Sequence, residues 1–145
     1  MRAYSIFFLT LIGVFFIDKG IKDIFLRGYE FISSCISLEL HKNYGVAFSM
    51  FAFLGKYLKW IQLILISSIF IYVIWSKLLK EYPISTGLIL GGAIGNLYDR
   101  FVHGGVIDYV AWHCGFNFAV FNFADVMIDL GVGIILVFEF LKHKK

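Results

Sequence analysis

Five aspartates stand where a chain this apolar should not tolerate them. Asp18 closes one uncharged run, Asp99 and Arg100 close another, Asp108 follows nine residues after Asp99, and Asp125 and Asp129 open a third. An ionisable group at or within a membrane costs several kcal/mol, so such a cluster marks a functional site by default. Carboxylates that meet in a low-dielectric pocket cannot all ionise, and two that share a site keep one proton between them. That arrangement suits peptide hydrolysis. The ionised carboxylate, as base, activates a water, while its protonated partner donates to the scissile carbonyl oxygen. The chemistry needs no serine, cysteine or metal.

Spacing narrows the pair without settling it. Asp125 and Asp129 stand at i and i+4 on one helical face. Asp99 has Arg100 beside it, and a buried acid next to a cation reads as an ionised structural pair, so Arg100 is expected to neutralise Asp99 rather than bind a substrate carbonyl. Asp108 has no adjacent cation. The residues alone favour Asp125 first and Asp108 next, with Asp129 a rival. Asn43, Asn96 and Asn122 read either as donors to a substrate backbone or as buried amides that satisfy loop carbonyls. His41, His103, His113 and His143 form no i, i+4 pair and no HExxH, so each is expected to be a lone interfacial or solvated side chain. Cys35 and Cys114 show no C-x-x-C spacing, which argues against a zinc site; free thiols are expected.

The elements that position these groups belong to a membrane. Of 145 residues, 60% are hydrophobic and only 16% charged, with 17 Phe and a single Pro. An ordinary soluble domain carries about 25% charged residues. The mean hydropathy is +0.83. A net charge of +3 gives no electrostatic case for nucleic acid. One membrane-embedded unit, residues 1–145, is expected.

Four apolar runs are long enough to span once flanking side chains snorkel: Ala3 to Ile17, Trp60 to Ser76, Tyr82 to Tyr98, and Val126 to Leu141, the last interrupted by Asp129 and Glu139. The first resembles a secretory signal core, but Asp18-Lys19 stands where a small-residue cleavage site belongs, so an uncleaved first helix is expected. Arg2, Lys77, Lys80, Lys142, Lys144 and Lys145 fall on one side of a four-span arrangement, which puts both termini in the cytoplasm and the acids towards the outer face. The first outer loop, 18 to 59, weakens the rule, with six basic residues against four acids. Gly87, Gly91 and Gly95, with Gly92 beside them, make the third run the seam of the bundle. In the first outer loop Phe31 to Leu40 reads as part of a short sheet, and His41 to Gly45 as a turn into the apolar stretch Val46 to Leu54. Trp112 to Phe123, aromatic and too short to span, suits the interface.

The residues also form recognisable blocks. Gly91-Gly92-Ala93-Ile94-Gly95-Asn96-Leu97-Tyr98-Asp99-Arg100 resembles the GGxxGNxxDR signature of lipoprotein signal peptidase, or signal peptidase II, a family of bacterial aspartyl proteases with four membrane helices. Asn43 to Ser49 resembles its NxGxAFS segment, Val106 to Tyr109 its VxDY segment, Phe121 to Asp125 its FNxAD segment, and Asp18 with Lys22 its DxxxK pair. The resemblance implies an all-α integral membrane fold of four transmembrane helices, with a small extracytoplasmic β-cradle and a short amphipathic helix. It implies an aspartyl endopeptidase of the bacterial cytoplasmic membrane, active at the extracytoplasmic face. The enzyme would cleave prolipoproteins before the diacylglyceryl-modified lipobox cysteine, without a cofactor and with sensitivity to globomycin-type inhibitors. Carried over, the catalytic acids fall on Asp108 and Asp125, and Asn43, Asn96, Asp99, Arg100, Asn122, Asp18 and Lys22 fall on supporting positions. Asp129 and Glu139 receive no role, beyond snorkelling of Glu139 near Lys142. The competing class is a small four-helix transporter, which would hold its acids near mid-helix rather than at helix ends. A scaffold would use the glycine seam but has no reason to keep acids near one surface.

Overall fold

Long runs of Leu, Ile, Phe and Val without proline become helices, and the breaks between them fall at Gly, Pro and polar clusters. The computed structural model describes residues 1–45, 52–116 and 118–144. Its elements are helix α1 (Arg2–Leu26), strand β1 (Ile36–Asn43), a 3-10 turn (Ala52–Tyr57), helices α2 (Leu58–Trp75), α3 (Leu78–Glu81) and α4 (Pro83–Val102), strand β2 (Val106–Trp112) and helix α5 (Phe123–His143). Pro83 opens α4 at its first turn, where its missing N–H costs nothing. Helix α1 runs on past Ile17 to Leu26, because the charges there pair at i, i+4 instead of ending it: Lys19 with Asp23 and Lys22 with Asp18.

Glycine decides which helices meet. A Cβ on Gly87 would lie 2.8 Å from Thr10 Cβ, one on Gly91 2.8 Å from the Leu11 carbonyl oxygen, and one on Gly95 2.6 Å from Asp18 Oδ2. The expected stripe is therefore the seam against α1, and the rising numbers on both sides mean that α1 and α4 run in the same direction. Gly92 faces the other way, with the Ala124 carbonyl oxygen 2.5 Å from where its Cβ would be, while Gly131 of α5 sits against Ser85 and Ile89. Here the numbers fall as they rise, so α5 runs against α4. Helix α2 runs against α1 and α4, with Trp60 beside Phe101 and Phe70 beside Phe7.

The bundle consequently has two unlike ends. At one lie the start of α1, α3 and the end of α5, with a core of Phe7, Val73, Leu79 and Leu90. There Lys142 bridges Glu81 at 3.0 Å and Glu139 at 3.1 Å, and the Tyr82 hydroxyl donates to Glu139 at 2.7 Å. Glu139 is thus a partner in a clamp between α3, α4 and α5. At the other end lies an antiparallel pair, β1 with β2, in the register Ile36 to Trp112, Leu38 to Val110, His41 to Asp108 and Asn43 to Val106. The register shifts between Leu38 and His41, an extra residue that bends β1.

Two loop expectations change. His41 to Asn43 belong to β1 rather than to a turn, because the bulge carries the ladder on to Asn43; only Tyr44 and Gly45 turn, with Gly45 N–H donating to Asn43 Oδ1 at 2.9 Å. Cys35 and Cys114 are joined in a disulfide, not free, since the open end of the ladder holds their Cα atoms 4.6 Å apart and the His113 N–H donates to the Cys35 carbonyl. The apolar stretch after Gly45 falls largely on residues 46–51, outside the described residues, as does Asn117 in the aromatic loop. Where a short amphipathic helix is expected in the first loop, the described residues hold the 3-10 turn.

Outward-facing side chains are as apolar as the core. Ile64, Tyr72 and Trp75 on α2 are 68%, 64% and 86% exposed, and Leu9, Phe16, Leu136 and Phe140 on α1 and α5 are likewise exposed. Among the described residues two helices, Arg2–Leu26 and Phe53–Trp75, are long and apolar enough to cross a membrane by length and composition. Helices α4 and α5 carry the glycines and acids that dilute their hydropathy. The seam generates a prediction: Gly92→Val, which forces a branched side chain into the α5 backbone, costs about 1–3 kcal/mol, whereas Gly133→Ala, with open space around it, is neutral or slightly stabilising. Thermal unfolding in detergent checks this, and equal transition temperatures for the two variants contradict it.

Candidate active site

Helix α5 starts at Asn122 for a local reason that also builds the site. The Asn122 side chain accepts from the Asp125 N–H at 2.9 Å, and Asp125 Oδ2 accepts from the Asn122 N–H at 3.1 Å, a reciprocal capping box. The cap fixes Asp125 in the first turn, where the helix dipole favours a carboxylate. Its other oxygen accepts from Asn96 Nδ2 at 2.8 Å. Asp108 arrives from β2, with its Oδ1 accepting from Asn122 Nδ2 at 2.7 Å and its Oδ2 from Asn43 Nδ2 at 3.0 Å. Asn122, wholly buried, therefore touches both acids.

Behind this layer sits Lys22, 1% exposed. Its ammonium lies 2.7 Å from Asp18 Oδ2, 2.7 Å from Asp99 Oδ2 and 3.0 Å from Asn96 Oδ1. Asp18 reaches on to the Ala124 N–H at 3.0 Å, and Asp99 accepts from the Ile107 N–H at 3.1 Å. The expected pairing of Asp99 with Arg100 is not made. Adjacent residues on a helix point about 100° apart, so Asp99 turns towards α1 and meets Lys22, while Arg100 donates to the Gly45 carbonyl oxygen.

Asp108 and Asp125 line one cavity of about 310 Å³, together with Asn43, Asn96, Arg100 and Asp129. Its apolar wall comes from Val106, Ile128 and the returning loop 118–121, which a bridge between Val110 and Phe121 ties to β2. Burial pushes the Asp108 carboxyl up to about 6; Asn43 opposes this by donating to the charged form, and the nearby Asp125 adds to it. Burial likewise raises the Tyr109 hydroxyl to about 12, so it stays neutral and accepts from the Phe123 N–H at 2.9 Å. Asp129 also lines the cavity but accepts no hydrogen bond among the described residues.

A model of signal peptidase (SPase) II matches residues 10–141. The chain belongs to the signal peptidase II family. It is 64% identical over 137 residues to a lipoprotein signal peptidase of Sulfurovum sp., covering 94% of each chain. It is 56% identical over 140 residues to that of Sulfurimonas denitrificans, covering 97% of this chain and 91% of the relative, and 47% identical over 142 residues to that of Helicobacter pylori strain P12, covering 94% and 90%. A solved bacterial membrane enzyme superposes with a TM-score of 0.78 over 94% of this chain and 88% of its own, and a second with 0.73 over 89% and 88%. Both are 24% identical, a likeness of fold. Signal peptidase II cleaves signal peptides from prolipoproteins, and membership leaves the transporter alternative without support.

The nine residues that the family motifs single out come together here: Asp108 and Asp125 on the cavity with Asn43, Asn96 and Arg100, Asn122 between the acids, and Asp18, Lys22 and Asp99 behind them. Val106 lies in the VxDY block and Phe118 in the aromatic loop Trp112 to Phe123, but sequence reasoning missed Gln62 and Ile128 as lining residues. Nothing in their types or spacing marks them, since they enter the wall only through packing. The Asp18–Lys22 pair was marked by the resemblance to the DxxxK block, but its sharing with Asp99 was not. The buried cation generates a prediction: Lys22→Met strands Asp18 and Asp99 without a counter-charge and costs roughly 3–5 kcal/mol, whereas Lys19→Met, in its exposed pair, leaves the transition near wild type. Thermal unfolding in detergent measures both, and a wild-type transition in Lys22→Met contradicts the network.

Proposed function

We propose that this signal peptidase II acts as an aspartyl endopeptidase, with Asp108 and Asp125 as its catalytic acids, and cleaves prolipoproteins before the diacylglyceryl-modified lipobox cysteine. The observation that carries the reading is that the two carboxyls line one cavity and are bridged by Asn122. One proton is held between them. The ionised member takes a proton from a water as that water attacks the scissile carbonyl, and the protonated member donates to the carbonyl oxygen. As the tetrahedral intermediate collapses, the carboxyl that took the water's proton gives it to the leaving nitrogen, the other carboxylate takes back the proton from the diol hydroxyl, and the cysteine leaves as a neutral amine. Asn43, Asn96 and Asn122 fix the carboxyls before substrate arrives, so no reorganisation is spent at that step.

The chain crosses the bacterial cytoplasmic membrane four times in this reading, with both termini cytoplasmic. Alternating helix directions support it, as do Arg2, Lys77, Lys80, Lys142 and Lys144 at the end of the bundle remote from the acids. The disulfide at the open end of the strand pair that carries Asp108 supports an oxidising, extracytoplasmic location for the catalytic face. A lipid-modified cysteine lies at that surface, and holding enzyme and scissile bond in one plane supplies proximity. The aromatic wall at Phe118 and Phe121 limits water. A globomycin-type inhibitor would occupy the same cavity.

Two predictions follow from the acid pair. Asp108→Asn and Asp125→Asn each lower processing of a diacylated precursor by about 10²–10⁴-fold while leaving the thermal transition near wild type, and Asp129→Asn retains substantial activity. Mobility shift of the precursor scores all three; full activity in Asp108→Asn transfers the role to Asp129. Raising the pH removes the shared proton, so kcat/KM falls on an alkaline limb. Asn43 favours the charged form of Asp108, so Asn43→Ala raises that carboxyl further and moves the limb upward by about one pH unit, the equivalent of one hydrogen bond to a charged group. A pH profile in which the limb stays put or moves down rejects this role for Asn43.

A further inference from the structure

A second cavity, of about 220 Å³, opens beside the first and is lined by Tyr44, Gly55, Lys56, Lys59, Arg100 and Gly104. Three of these six residues are cations and none is an acid. Among the described residues neither lysine nor Arg100 forms an ion pair with a carboxylate. The six residues 46–51, which precede the cavity in sequence, contain no Asp or Glu. Arg100 is only 5% exposed and its Nε, buried, has no hydrogen-bond partner.

The helix geometry makes the imbalance sharper. Lys56 and Lys59 flank the start of α2, an 18-residue helix with no side-chain cap and no acid in its first turn. The N-terminus of a helix carries unsatisfied N–H groups and partial positive charge, and acids are the residues that stabilise it. Cations there repel the dipole and each other. The same lysines belong to the basic residues of the first outer loop that run against the positive-inside pattern. An anion would satisfy the helix end, both ammonium groups and the Nε–H that Arg100 keeps free beside its bond to the Gly45 carbonyl.

We propose that this cavity binds the phosphodiester headgroup of an anionic phospholipid. The surroundings favour a lipid over a free anion. Tyr57 and Trp60 are exposed beside the lysines, and Lys56 lies over the Tyr57 ring and Lys59 over the rings of Trp60 and Phe101. An aromatic and basic rim of this kind belongs at the headgroup level. The assignment rests on the membrane placement given above but not on the identity of the catalytic acids. A bound lipid at Arg100 would anchor the shared wall of the two cavities and keep the guanidinium from closing on Asp108 and Asp125.

The test is native mass spectrometry of the full chain in an uncharged maltoside detergent, titrated with phosphatidylglycerol, with diacylglycerol of the same acyl chains, and with inorganic phosphate. The wild type should retain one phosphatidylglycerol about thirtyfold more tightly than Lys56→Gln/Lys59→Gln, the loss of two lysine contacts at about fivefold each. The double variant Lys77→Gln/Lys80→Gln, with the same change in net charge at the opposite end, should bind as the wild type does. Diacylglycerol should bind more weakly than phosphatidylglycerol to the wild type, a comparison that needs no variant. Equal retention by wild type and Lys56→Gln/Lys59→Gln, or equal binding of the two lipids, overturns the proposal. Inorganic phosphate binding as tightly as phosphatidylglycerol overturns the lipid assignment. Because the readout is binding, an inactive enzyme that still retains the lipid leaves this inference standing and sinks only the catalytic one.

Discussion

Lys22 holds the molecule together at its most expensive point. A buried ammonium is tolerable only if its charge and its three donors are met, and Asp18, Asp99 and Asn96 meet them. Each partner then passes the constraint outward. Asp18 fixes the first turn of α5 through the Ala124 N–H, Asp99 fixes the start of β2 through the Ile107 N–H, and Asn96 holds Asp125. Three elements, α4, β2 and α5, are thereby tied to one atom of α1.

The same economy governs the acid pair. Asp125 is oriented by a helix cap, which is local, and Asp108 by a strand whose register the bulge in β1 adjusts. Asn122 belongs to both systems: its backbone and carbonyl oxygen make the cap, and its amide nitrogen reaches Asp108. The two carboxyls are thus set by elements of different kinds, and their relative position does not depend on a flexible side chain. The cavity they line is walled by a loop whose apolar residues keep the local dielectric low, which is why burial is the first cause of the raised Asp108 carboxyl.

Close helix approach makes this possible. In lipid there is no hydrophobic gain from bringing α1 to α4, so contact depends on packing and on polar groups satisfied across the seam. Gly87, Gly91 and Gly95 remove the side chains that would hold the helices apart, and the last of them leaves room for Asp18 itself. The glycine stripe and the lysine network are two aspects of one interface, dispersion at one end and charge at the other.

Much of this was legible in the residues. The four apolar runs, the glycine seam and the concentration of acids at helix ends all follow from periodicity and from the cost of charge in an apolar medium, which are local properties. Sequence alone put Asp125 first among the acids because a helix carries its own geometry. It left Asp108 against Asp129 open, because whether a strand residue or a helical neighbour faces Asp125 depends on the register of β1 and β2. It paired Asp99 with Arg100 because they are adjacent, whereas helical rotation sends them to different partners. It left Cys35 and Cys114 apart because a separation of 79 residues conceals a shared ladder end. Composition and spacing determined what the chain contains and where it can reside; only the folded bundle decided which charges meet, since pairing across α1, α4, β2 and α5 is fixed by packing between segments far apart along the chain.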